Sequence, residues 1–576
     1  MSSSRRLVTA GAIAIVLLAA TSTAAEQGTA QGPAARAAER SPQLGVISFP
    51  TSQTGPAQAA FLRGVLFLHN FEYDEALIAF HEAEKLAPDF AMAYWGEALS
   101  FTQPLWYNEN LPKAREALSR LAPNAAARLA KAPTSREQAY IDAAEQLFGA
   151  GDRLVRLRTF ANRLDQIVQQ FPEDDEARAF EAVALLGSLG EGVRNPDVSL
   201  KAGALATAVF KKNPKHPGAA HYILHAYDDG EHNAMALDAA RTYAKIAPSS
   251  SHALHMPSHA FLPLGLWDEA AASDEAAYNA SVAWVKRTGR SFAQQDFHAL
   301  SWLHYEFLQQ GRFAKARALI AEVERVQAAA GPVPRTAPAA AGVALPGDAG
   351  RAAIGRPPGG VSSEIGRGYD AMALKNERAS LRARQMIDGA DWEMMRGQST
   401  FDNVDELFAL GLSSVGLEDY GRADAALKEL SQAATTLPDK DAADLASLMR
   451  EQLSGLLLIA RGDQQGGLAA LARAAQHETA RPKPIARPYP PKPAGELYAE
   501  ALLGLGQPRA AVDQYRRVLQ RTPRRAQALL GLARATQAAG DRAESVRVAR
   551  EFLDMWKNAD SNRPELAEAR KLASAR

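Results

Sequence analysis

The 576-residue sequence contains no cysteine. That absence excludes disulfide bonds, a lipoprotein acyl site, covalent c-type haem and thiolate metal ligands, so stability has to come from packing alone. An excess of charge is missing too: Lys plus Arg and Asp plus Glu both number 65. With no net field to attract nucleic acid or an anionic membrane, neither is an expected partner. After the first residues there is no apolar run long enough to span a bilayer, so no membrane span is expected once a leader is removed. Known catalytic signatures are also missing. There is no phosphate-binding loop, G-x-S-x-G elbow or dinucleotide fingerprint. His81 and His477 each precede a Glu, but Lys85 and Arg481 stand where the zinc-protease motif needs its second histidine.

The chain that remains has a globular composition, 47% hydrophobic and 23% charged, and exceeds the length of one compact core. Two domains or an elongated array are expected. At the start, Arg5 and Arg6 precede an apolar run from Leu7 to Ala20 and small residues that end at Ala24 and Ala25. The run is shorter than the roughly 20 residues of a spanning helix, so residues 1–25 fit a cleavable secretory signal. The expected location is therefore periplasmic or extracellular, with residues 26–55 a flexible N-terminal segment.

Internal repetition organises the rest. Ala202, Ala236 and Ala270 follow one another at intervals of 34 residues, as do Pro214 and Pro248. Gly506 and Gly540, Tyr515 and Ala549, and Val518 and Phe552 carry the same interval near the C-terminus. Gly64, Phe67, Tyr73, Ala76, Phe80, Ala83 and Pro88 form one full unit, in which small residues let two antiparallel helices approach and the proline stops the second. These spacings resemble the tetratricopeptide (TPR) repeat, and the resemblance covers most of residues 56–559. It implies an all-α solenoid of helix hairpins. Residues 327–366 are rich in Ala, Pro and Gly without apolar periodicity and are expected to be a linker between an array at 56–326 and a second at 367–576. Residues 481–495, RPKPIARPYPPKPAG, are expected to be a stiff extended spacer, and the helix after Pro564 a polar cap.

The histidines are the most informative residues. Seven of the 12 lie between His216 and His259. His221 and His225 are spaced to stack on one helical face and reach a single ion. Tetratricopeptide units bind ligands mainly through the second, fifth, ninth, twelfth and thirteenth residues, which line the concave groove. The resemblance thus places His221, His225, Asp228 and Asp229 on that groove at places five, nine, twelve and thirteen. It places His252, His255 and His259 at places two, five and nine of the next unit, and His298 and Tyr305 at two and nine beyond that. The strings H-x3-H-A-Y-D-D and H-A-L-H-M-P-S-H also resemble those of a group of exported bacterial tetratricopeptide proteins, which implies a shared site but supplies no reaction.

Five imidazoles with Asp228 and Asp229 form a candidate divalent-metal site whose ligands, free of sulfur, suit Zn, Cu or Fe alike. The same residues also fit a polar ligand site without metal, or a structural hydrogen-bond network. Pro257 is expected to pull Met256 out of helical conformation and leave His252 and His255 on an extended lead-in. Ser258, beside two histidines, fits helix packing better than nucleophilic attack, and Trp95, Trp267 and Trp302 fit the core. The reading is an exported scaffold that binds a protein, peptide or small ligand in its groove, with a histidine-rich metal site. The alternative is a metalloenzyme or metal-storage protein built on the same cluster.

The leader makes one prediction. Intact-mass measurement on protein from the cell envelope should place the mature N-terminus near Glu26, and retention of Met1 in most molecules would refute it.

Overall fold

The computed structural model describes residues 42–190, 193–330, 369–398 and 400–574. The expected leader, residues 26–41 and nearly all of the expected linker lie outside them. The first described residues are not loose: Leu44 and Phe49 are buried, and the Phe49 ring packs edge-on against Phe61 at 5.2 Å and Trp95 at 5.8 Å.

From there the chain is an all-α array of tetratricopeptide-type helix hairpins. Gly55–His69 and Tyr73–Leu86 form the first pair. Their closeness depends on Gly64, where a β-carbon would meet the Phe80 ring at 2.6 Å. Phe71, at φ 57°, makes the tight turn between them. Later pairs include Pro217–Ala226 with Leu237–Ile246, and Phe297–Gln309 with Phe313–Ala330. After residue 369, pairs continue from Val404–Gly416 with Tyr420–Thr436 to Ala526–Ala539 with Arg542–Met555, and Pro564–Ala573 closes the end. Strand structure among the described residues is one short antiparallel pairing of Thr102–Gln103 with Asn108–Glu109. No helix among them is long and apolar enough to cross a membrane.

Two expectations about the backbone change. Met256 and Pro257 are both helical, at φ/ψ −52°/−33° and −56°/−30°, so Ser251–His255 and Ser258–Phe261 form one helix interrupted at the proline. The missing proline N–H removes one ladder bond, yet Met256 N still donates to His252 O and Leu262 N to Ser258 O, which keeps the turn wound. The 481–495 strap is packed in, with Ile485, Ala486 and Arg487 buried, and Arg384 Nη2 donating to Pro488 O at 2.9 Å.

The described residues from Gln43 to Ser574 pack as one unit. Residues before 330 and after 369 share an apolar core that holds Leu262, Trp302 and Phe313 together with Ile485, Tyr515 and Trp556. Arg525 is fully buried at this junction. Its Nη2 donates to Asp388 Oδ1 at 2.5 Å, its Nε to Glu496 Oε2 at 2.7 Å and its Nη1 to Tyr305 Oη at 3.2 Å. The guanidinium satisfies both carboxylates, and without the cation they would be left as unpaired buried charges. Arg525→Ala should therefore cost about 3–5 kcal/mol, the range for breaking a buried ion pair, measured as a fall in the urea midpoint. An unchanged midpoint would remove Arg525 as the fastener.

Candidate metal centre

Three successive hairpins begin with helices that carry the histidines. The first is Pro217–Ala226, whose N-cap His216 accepts through Nδ1 from Ala219 N at 3.1 Å. The second starts after Ser250, which accepts from Ala253 N, and the third after Asp296, which accepts from Ala299 N. His221 and His225 sit one turn apart on the first helix. His252 lies in the first turn of the second helix, and His255 and His259 follow across Pro257. His298 lies in the first turn of the third.

The five expected histidines do not form one set. Joined by His298, they divide into two trios, His221 with His225 and His252, and His255 with His259 and His298, and within each trio the candidate ligand atoms all lie within 4.8 Å of one another. His221 Nε2 is 3.0 Å from both His225 Nε2 and His252 Nε2. In the second trio His255 Nε2 and His259 Nε2 are also 3.0 Å apart. The same device builds both: an imidazole pair one turn apart is completed by a histidine from the first turn of the next leading helix.

The far side of the rings explains why the Nε2 atoms converge. His221 Nδ1 donates to the backbone carbonyl of His69 at 2.7 Å. A carbonyl can only accept, so Nδ1 carries the proton and Nε2 keeps its lone pair. That lone pair faces two further ring nitrogens, and a single proton satisfies at most one of the contacts. His255 Nδ1 lies 2.5 Å from Asp274 Oδ1, and His259 Nδ1 lies 2.7 Å from Asp228 Oδ2. Such tied-back rings are how proteins orient imidazoles toward an ion. His69 is itself fixed by Glu176 at 2.8 Å and Tyr222 Oη at 2.9 Å, and Glu176 also pairs with His216 at 3.3 Å. Burial alone would raise the Glu176 carboxyl, but the two imidazoles hold it down at about 2.

Asp228 and Asp229 are therefore not among the converging atoms. Asp228 backs His259, whereas Asp229 accepts from the amides of Glu231 and His232 and pairs with the His232 ring at 2.6 Å, which fixes the turn after the first helix. The spacing of carboxylates along a groove could not show that both would be used by neighbouring groups. Nor is the cluster an open groove: His221, His255 and His259 are 0%, 2% and 3% exposed. His225, His252 and His298 are partly exposed, so each trio has a wet side. Aromatic rings wall the rest. Phe71 stacks on His225 and His252, Trp106 meets His252 edge-on at 5.6 Å, and Trp302 lies 4.6 Å from the His259 ring. Ser258 is fully buried and donates to His255 O at 2.8 Å, consistent with a packing role.

Of the residues that complete the centre, His298 had a signal in the sequence, since it takes the same repeat place as His252. The His69 carbonyl, Phe71 and Asp274 had none, because they reach the site from other hairpins or by their backbone. A cavity of about 920 Å³ adjoins the turn at 228–231. Arg194 in its wall donates to Asp229 O at 3.0 Å, and Lys483 in its wall pairs with Glu231 at 3.0 Å.

Burial makes the charged form of these imidazoles costly. Burial lowers His221 and His255 to about 3, reinforced by neighbouring imidazoles, and holds His225 and His298 well below the ordinary value. The unfolded chain takes up protons near 6.5 and the metal-free fold does not, so stability is complete above pH 6.5 and is lost progressively as pH falls toward 3. Each such imidazole contributes a slope of about 1.4 kcal/mol per pH unit in that window. Thermal unfolding of chelator-treated protein should show a melting temperature that declines between pH 6.5 and 5. A flat profile there would contradict neutral burial.

No protein-family model matches the chain, and no curated protein matches it. Among solved structures, the human IFIT1 dimer with m7Gppp-AAAA is similar at 12% identity, covering 88% of this chain and 92% of that one, with a TM-score of 0.30. A tetratricopeptide repeat protein from Parabacteroides merdae is similar at 13% identity, covering 57% of this chain and 100% of that one, with a TM-score of 0.27. Likeness at that level does not bear on what this chain binds.

Proposed function

We propose that the protein is an exported helical-repeat scaffold whose leading helices hold a buried, histidine-built divalent-metal centre, and that it binds a ligand beside that centre. One observation carries the reading: in each trio ring nitrogens meet at about 3.0 Å, and His221, His255 and His259 are anchored through their opposite nitrogens. A cation placed between them takes the contacts that one proton leaves unsatisfied and gains up to three nitrogen ligands per trio. Three protein ligands with a wet side leave a coordination position open, the pattern of reactive sites and not of closed structural ones. Burial disfavours the groove-lining role for His221, His255 and His259, because a peptide cannot reach side chains with almost no exposed surface.

The adjoining cavity supports the ligand-binding half of the reading. Its volume lies in the range of small-molecule sites, and Arg194, Arg517 and Arg521 in its wall outnumber the nearby Asp441 and Glu478 carboxylates. An acidic small molecule, or the acidic end of a protein or peptide partner, fits that charge.

An ion that binds only the folded state stabilises it, by about 2.7 kcal/mol at a free concentration 100 times its dissociation constant. Untagged protein should therefore melt at a higher temperature with Zn or Cu salts. The double variant His225→Ala with His298→Ala, which takes one partly exposed ligand from each trio, should lose most of that gain. Equal, small shifts in both proteins would defeat the metal reading and leave the fold untouched.

A further inference from the structure

The two trios are copies of one another under the repeat. His221 and His255, and His225 and His259, are each 34 residues apart, and His252 and His298 occupy the same first-turn place on successive leading helices. Such equivalence would ordinarily mean two separate sites on neighbouring units. Here the rings point inward from the helices and the spacing shrinks. The repeat that carries His225 onto His259 moves the ring centre by 6.3 Å, and His252 of one trio lies 6.5 Å from His255 of the other. Within a trio the widest ring separations are nearly the same, 6.1 Å for His225 to His252 and 6.2 Å for His259 to His298. The six imidazoles thus form a continuous ladder.

From this juxtaposition, and resting on the metal-centre reading, we propose that the two trios form one dinuclear centre, in which two divalent ions share a single small anionic ligand on their wet side. The rings that join the trios, His225 to His259 at 6.3 Å and His252 to His255 at 6.5 Å, set two ions on the order of 6 Å apart, a distance that a three-atom anion spans. Charge points the same way. Two divalent ions on six neutral imidazoles bring four positive charges into a largely buried space, and the carboxylates behind the rings are Asp228 and Asp274. A bridging anion offsets part of the remainder, because bound ions are the largest local charges in such a site. The ligand set is all nitrogen, which suits copper and zinc better than oxygen-seeking ions, and copper(II) stands highest in the affinity order.

Cu(II) reports both stoichiometry and distance. Untagged full-length protein should bind two Cu(II) ions, and its paramagnetic resonance spectrum should be broadened by dipolar coupling or lost, with azide as the small-anion probe perturbing both ions at one azide per pair. His298→Ala should bind one ion with a sharp, isolated signal, and His252→Ala should do the same from the other side, which guards against misfolding of either variant. Two ions with unperturbed, additive signals, or a coupled pair that survives in both variants, would overturn the dinuclear proposal while leaving metal binding intact. One ion in the wild type would also overturn it. No ion at all would remove the metal-centre reading itself.

Discussion

A backbone carbonyl can accept a hydrogen bond but never donate one, and the arrangement of the histidines depends on that asymmetry. The His69 carbonyl fixes the proton of His221 on Nδ1 and so turns its Nε2 lone pair toward His225 and His252. His69 can present that carbonyl because its side chain is locked between Tyr222 and Glu176, and Glu176 is shared with His216, which caps the helix that carries His221. The second trio uses carboxylates for the same task, Asp274 behind His255 and Asp228 behind His259. A ring anchored on one nitrogen has little freedom left at the other, which is what preorganises a ligand.

Putting uncharged imidazoles into a largely buried site is tolerable only if the rings are packed. Phe71 and Trp106 enclose the first trio and Trp302 the second. Phe71 reaches its place through a left-handed turn between the first two helices, so the first hairpin, far away in sequence, forms a wall of the centre. The repeat supplies the remaining geometry. Leading helices stack side by side, so first-turn residues of one helix face the middle of the helix before it, and one histidine from each new helix can complete the pair on its predecessor.

The later hairpins contribute rigidity. The third leading helix, which carries His298, also carries Tyr305 and Gln309, and these meet Arg525 Nη1 and Ala526 N from the C-terminal repeats. Arg487 from the buried strap donates to Ser301 O on the same helix. The helix that completes the second trio is therefore held by groups more than 180 residues further along the chain.

The sequence by itself determined the architecture. A 34-residue interval, small residues at Gly64 and Ala76 and a stopping Pro88 leave helix hairpins as the way to bury each unit, because local spacing decides which face of a helix is apolar. It also determined that His221, His225, His252, His255 and His259 would gather, since their repeat places are read by counting. Tertiary structure decided how they divide, that His298 joins them, and that Asp228 stands behind a ring while Asp229 is consumed by a turn. Those outcomes depend on the His69 carbonyl, on Asp274 and on a helix that stays wound through Pro257. Such contacts between residues distant in the chain follow from close packing, which leaves no periodic trace in the sequence.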